Sequence, residues 1–272
     1  MIRWRVGVAA MLACAAMAQT APVRKQLLVI GDEKGFRHGA ISHAMAVIER
    51  MGKESGLWDT HLRTDPEPLT KKKLEYNARN LSTFDAVLFY TGGNLAMDEQ
   101  QREDLMSFIR DDGKGFIGVH SAAITFVKWP EFVEMVGGTF DEHPWNTFDA
   151  PVVVEDAAFP GMRAFPKAFT LRDEVYQMKS FSRANTRVLL RLDAAKLDLS
   201  GTKVHRADRD FAVAWAKMHG KGRVFYSTLG HVEENWDRAD VQTMYREAIK
   251  WALGLVEADV TPRAAPGSED KQ

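Results

Sequence analysis

The chain has almost no cysteine. Its one thiol, Cys14, lies near the amino terminus, so the rest of the sequence offers no disulfide, no cysteine nucleophile and no cysteine-ligated metal. It also lacks charge of one sign. The 36 Lys and Arg residues stand against 37 Asp and Glu, which argues against a basic face for nucleic acid. No apolar stretch reaches the roughly 20 residues of a membrane-spanning helix. A phosphate-cradling Gly-x-x-x-x-Gly-Lys-Ser/Thr loop is missing, and so is a short His-Glu-x-x-His metal signature.

What is present begins with an address. "MIRWRVGVAAMLACAAMAQTAPV" places Arg3 and Arg5 before an apolar stretch from Val6 to Met17, and Ala16-Met17-Ala18 forms an A-x-A cleavage site. Residues 1–18 are therefore expected to be a cleaved signal peptide, giving a secreted or periplasmic protein. Met11 and Leu12 fit poorly in a lipoprotein signal around Cys14. Cleavage leaves 34 basic against 37 acidic residues, a charge of −3, and no thiol.

The remainder, 45% hydrophobic over the whole chain, suits one domain over residues 24–254. Leu27 to Ile30 is a continuous apolar run, as in a strand buried on both faces. Ile41, Met45, Ile48 and Met51 lie along one stripe of a helix. "LWDTHLRTD" and "FDAVLFYTGG" read as further strands. "MDEQQREDLMSFIRDDGKG" reads as a helix with Asp98 as N-cap, Gln101 three residues on and Gly113 at its end. "GFIGVH" is a fourth strand. This alternation predicts an α/β fold, a mostly parallel sheet with helices on both faces.

The second half predicts antiparallel additions: "DAPVVVED", "RVLLRLD" and a hairpin turning at His219 to Gly222. Asp237 to Leu253 closes the domain as an amphipathic helix, and residues 255–272 read as a disordered tail.

In parallel sheets, ligands bind outside the carboxyl ends of the strands. The loops expected there carry Asp32, Arg37 and His38; Gly93 and Asn94; His120 and Ser121; His143 and Trp145; and His231. Four of the eight histidines thus fall in converging loops, whereas His43, His61, His205 and His219 read as structural or surface residues. Imidazoles near neutral pH move protons, bind metals or donate hydrogen bonds to hydroxyls. Tryptophan beside Asn, Asp and Arg suits a sugar ring. In "LRDEVYQM", the Asp173–Glu174 pair beside Tyr176 is placed either to orient a histidine or in a solvated turn. His38, His120 and His231 are the catalytic candidates. Arg37, Asp32, Gly93, Asn94, Ser121, His143, Trp145, Glu174 and Tyr176 are the substrate-binding ones. No residue is assigned as a metal ligand, and a divalent metal on the histidine cluster stays open as an alternative.

The motifs "GFRH", "GVHSA", "GGTFDEHPW", "DEVY" and "GKGRVFYSTLGH", in this order, resemble the ThuA-like (trehalose utilisation) family over about Lys25 to Leu253. The resemblance implies a flavodoxin-like, class I glutamine amidotransferase-like fold. It also implies that His120 stands at the turn where amidotransferases carry their cysteine, and that His231 takes the place of the activating histidine. A glutamine amidotransferase is thereby excluded. Ser121, one place further, is a weak substitute nucleophile because the apex is His120. The family further implies a carbohydrate role on trehalose or a related disaccharide, including a 3-keto-glycoside, with histidine acid/base chemistry. A non-catalytic carbohydrate-binding protein and a metal-dependent hydrolase are the alternatives. The partner expected in each case is a small sugar.

Overall fold

The computed structural model describes residues 23–265, so the expected signal peptide and Cys14 lie outside the described residues. The run Leu27 to Ile30 lies in strand β1 (Lys25–Ile30), and all four residues are fully buried. Then come α1 (Ile41–Ser55), β2 (Trp58–Arg63), β3 (Ala86–Phe89), α2 (Glu99–Arg110) and β4 (Gly115–Val119). The start of α2 is fixed as the sequence suggests. Asp98 accepts the Gln101 N–H at 2.8 Å while the Gln101 side chain accepts the Asp98 N–H at 3.0 Å, a capping box that satisfies two otherwise unpaired donors.

The second half contains α3 (Pro130–Val136), β5 (Thr139–Glu142), β6 (Thr147–Val154), β7 (Ala168–Glu174), β8 (Gln177–Lys179), β9 (Arg187–Leu192), β10 (Ala212–His219), β11 (Gly222–Ser227) and α4 (Ala239–Ala252). The hairpin of β10 and β11 turns where expected, with His219 paired to Gly222. Helix α3 and the short strands β5 and β8 have no counterpart in the sequence reading, and "LRDEV" belongs largely to β7 rather than to a solvated turn.

Nine strands form one sheet in the order β2-β1-β3-β4-β11-β10-β9-β6-β7. The first five pair in parallel, the flavodoxin-like order. The others extend the sheet antiparallel. Alternate residues of β1 point into two separate cores. Leu27 and Val29 pack with Val47 and Ile48 of α1 and Val241, Met244 and Ala248 of α4. Leu28 and Ile30 pack with Leu105, Phe108 and Ile109 of α2 and Phe132 and Met135 of α3. Helices thus cover both faces, and each fully buried Leu, Ile or Phe stabilises the fold by about 1.5–3 kcal/mol.

The stretch after Gly254, expected to be a tail, begins packed against the domain. Val260 is buried, Val256 and Ala258 lie on the core, and Arg187 donates to the Thr261 carbonyl at 2.9 Å. Among the described residues, no helix is long and apolar enough to cross a membrane.

Candidate functional site

Parallel pairing sets the carboxyl ends of β1, β4 and β11 along one edge, and the loops leaving them carry His38, His120 and His231. His120 follows β4 directly and takes a left-handed backbone conformation, φ 43°. A non-glycine residue in that region at a strand-to-helix turn lifts its side chain out of the sheet edge, as a nucleophile elbow does. The Tyr226 hydroxyl donates to the His120 carbonyl at 2.7 Å and fixes the turn.

The Nε2 atom of His120 is the hub of the site. It lies 2.8 Å from the Tyr176 hydroxyl, 3.2 Å from His38 Nε2, 3.3 Å from His231 Nδ1 and 3.4 Å from Glu174 Oε2. Glu174 Oε2 is also 3.4 Å from His231 Nδ1. The other ring nitrogen of His120, Nδ1, sits 2.6 Å from the Thr228 carbonyl oxygen. A carbonyl only accepts, so Nδ1 carries the proton and neutral His120 presents a lone pair at Nε2.

His38 is set in the same way. Its Nδ1 lies 2.6 Å from Glu33 Oε1, and its backbone N–H donates to Glu33 Oε2 at 2.6 Å. Burial pushes the Glu33 carboxyl up, but the bonds from His38, with the Ser121 hydroxyl close by, outweigh it, so Glu33 stays below its usual range. The ionised carboxylate therefore accepts from Nδ1 and turns the His38 Nε2 towards His120.

The His231 loop is held from behind. Asp173, fully buried, accepts the Gly230 N–H at 2.8 Å and the Val232 N–H at 3.0 Å, while Tyr90 and Trp236 both donate to the Gly230 carbonyl. Burial lowers the basicity of His120. The hydrogen bond to Glu174 raises that of His231. Burial of Glu174 is outweighed by its bonds to His120 and His231, which hold it well below the carboxylate range. Burial also drives the Tyr176 hydroxyl far above the phenol range, so it stays protonated.

Five of the expected residues, His38, His120, His231, Glu174 and Tyr176, thus meet at one point. Asp32 and Arg37 line an adjoining cleft of about 480 Å³ that also touches Glu33 and His38. Ser121 is fully buried and its hydroxyl has no hydrogen-bond partner of good geometry, so it backs Glu33 rather than facing a substrate. Gly93 serves the backbone: at φ 76° it lies so close to the Lys34 carbonyl that an added Cβ would meet it at 2.3 Å. Asn94 is exposed beside it. Trp145 donates to the Asp198 carbonyl and packs on Phe148 and Phe211, a structural role rather than a cleft lining. His143 is half-buried beside Glu142 and reaches the cluster only through Phe140, whose ring touches both His143 and Tyr176.

Two side chains packed against the imidazoles of the cluster lay outside the sequence reading. Glu33 is one, next to Asp32, the acid that the sequence offers for substrate binding. Phe36 is the other. It is 71% exposed, 4.7 Å from the His38 ring and nearly parallel to His231 at 6.5 Å. His38, His120, His231 and Glu174 also form a set able to hold a metal ion, with ligand atoms within 4.8 Å of one another.

The family model for ThuA, trehalose utilisation, matches residues 26–252. The chain belongs to the trehalose utilisation (ThuA) family. Solved ThuA-like proteins share its fold. One from Bacteroides uniformis superposes with a TM-score of 0.68 at 19% identity, over 87% of this chain and 94% of that one. Another, from Parabacteroides merdae, gives 0.62 at 17%, over 89% and 98%. No curated protein matches the chain. Within the ThuA domain, the imidazole cluster lies at the carboxyl edge of the parallel strands, the side on which such sheets bind ligands.

Proposed function

We propose that this protein is an exported enzyme of sugar utilisation. Its reaction takes place where His38, His120, His231, Glu174 and Tyr176 meet, by proton transfer without a thiol nucleophile. The observation that carries this reading is the convergence of three imidazole nitrogens, a carboxylate and a phenol on one point at the carboxyl edge of the sheet. Family membership supports a trehalose-like disaccharide as the substrate class.

A 3-keto-glycoside suits such a site chemically. The ketone at C3 acidifies the proton on C2, and the glycosidic oxygen on C1 lies β to the ketone. Removing that proton and protonating the departing oxygen breaks the C1–O bond, so positioned bases and donors suffice. Phe36, exposed above the His38 and His231 rings, offers a flat face to the sugar.

The test is to incubate the purified exported chain with trehalose and related disaccharides, each in native and 3-oxidised form. Release of monosaccharide or of an unsaturated keto sugar, lost in His231→Ala, is the expected result. A folded protein that changes none of these sugars contradicts the reading.

A further inference from the structure

We infer that His38, His120, His231 and Glu174 are the ligands of one divalent transition-metal ion. Three features point to it. The first is the direction of the lone pairs. With Nδ1 of His120 turned to the Thr228 carbonyl and Nδ1 of His38 turned to Glu33, the two Nε2 atoms face each other at 3.2 Å. Tyr176 has one proton to give, enough for only one of them. Glu174 and His231 crowd the same point, and a cation between them satisfies all four.

The second feature is spacing. Ligands about 2.0 Å from a tetrahedral ion stand roughly 3.3 Å apart. The separations around His120 are 3.2, 3.3 and 3.4 Å, that between His231 and Glu174 is 3.4 Å, and the rest lie within 4.8 Å.

The third is the surrounding shell. A buried carboxylate behind His38 and a backbone carbonyl behind His120 are the outer partners that hold metal-binding imidazoles in orientation. The carboxylates of Glu174 and Glu33 together balance a dication. Three imidazoles and one carboxylate favour zinc or a neighbouring first-row ion over magnesium or calcium.

This deepens the reading above and rests on it for the substrate. A sugar with a carbonyl beside a hydroxyl offers two oxygens to such an ion, which polarises the carbonyl.

The exported chain is stripped with chelator, dialysed separately against zinc, cobalt or manganese, and its metal content measured by mass spectrometry. One ion per chain is expected, with a visible cobalt absorption band from a tetrahedral or five-coordinate site. His231→Ala should weaken binding at least ~100-fold. Glu33→Gln, which keeps the shape of the site, should weaken it about 10- to 100-fold. His43→Ala, on the surface of α1, should bind as the wild type does. A folded wild-type chain that retains none of the three ions overturns the inference, as does retention by His231→Ala and Glu33→Gln equal to that of the wild type. Full turnover of a keto sugar by metal-free protein overturns the metal site and leaves the proposed function standing. Stoichiometric metal with no sugar turned over supports the metal site and removes the proposed function.

Discussion

His38 and His120 come from loops 82 residues apart and meet Nε2 to Nε2 at 3.2 Å, each held from behind by an acceptor at its Nδ1. Glu33 and His38 share one loop, but the contacts of His120 with His38 and with Thr228 are remote in sequence, so the sheet itself assembles the site. Replacing His120 removes the hub. His120→Ala is expected to lower turnover by about 100-fold or more while the far-ultraviolet spectrum keeps its α/β shape. Steady-state kinetics with circular dichroism checks both.

Tyr176 reaches the same nitrogen with its hydroxyl at 2.8 Å and packs its ring 4.3 Å from the imidazole. Tyr176→Phe keeps the ring and deletes only the donor. Turnover should fall by at least ~10-fold, with a stability change of no more than about 0.5–1.5 kcal/mol. An unchanged rate removes the hydroxyl from the chemistry.

Gly93 fixes the loop that carries Glu33 and His38. Lys34 donates to the Gly92 carbonyl at 2.8 Å, and Gly93 leaves no room for a Cβ against the Lys34 carbonyl. Gly93→Ala combines that clash with a φ of 76°, so a loss of about 1–3 kcal/mol is expected. Thermal unfolding measures it, and an unchanged midpoint contradicts the packing described.

The fold was legible because its cues are local. Leu27 to Ile30 reads as buried on both faces, and Asp98 with Gln101 marks the start of α2 within four residues. Convergence of His38, His120 and His231 followed from parallel topology alone. Glu33 was missed because Asp32 beside it is an equally good acid, and only the curvature of the loop decides which one turns towards His38. The Thr228 carbonyl has no signature in side chains at all. Trp145 shows the opposite limit. Its indole looks suited to a sugar, but Phe148 and Phe211 take up its ring.

Asp104 gives a pH test remote from the site. Burial raises its carboxyl, but the Lys71 N–H, the Thr70 hydroxyl and the Gln100 side chain outweigh that and hold it below its ordinary value. A depressed value in the folded state stabilises the protein fully above the unfolded value of about 3.9 and is lost as pH falls through the folded value. Asp104→Asn should therefore be less stable than wild type at neutral pH, by about 1–3 kcal/mol. The gap should close in acid. Urea unfolding across pH tests this, and a gap that widens towards low pH contradicts it.

Export is tested by the amino terminus. A chain recovered from the periplasm or medium should begin at Gln19, after Ala18, and carry no thiol titratable with a disulfide reagent. Retention of Cys14 in the exported form contradicts the cleavage site.

The most direct measurement is the rate at which the purified chain converts a 3-oxidised disaccharide, compared with that of His231→Ala. His231 is the cluster's most exposed imidazole, so its loss should leave the fold standing. Conversion by the wild type that drops about 100-fold in the variant is the expected result. Equal rates in the two proteins would show that the chemistry lies elsewhere on the molecule.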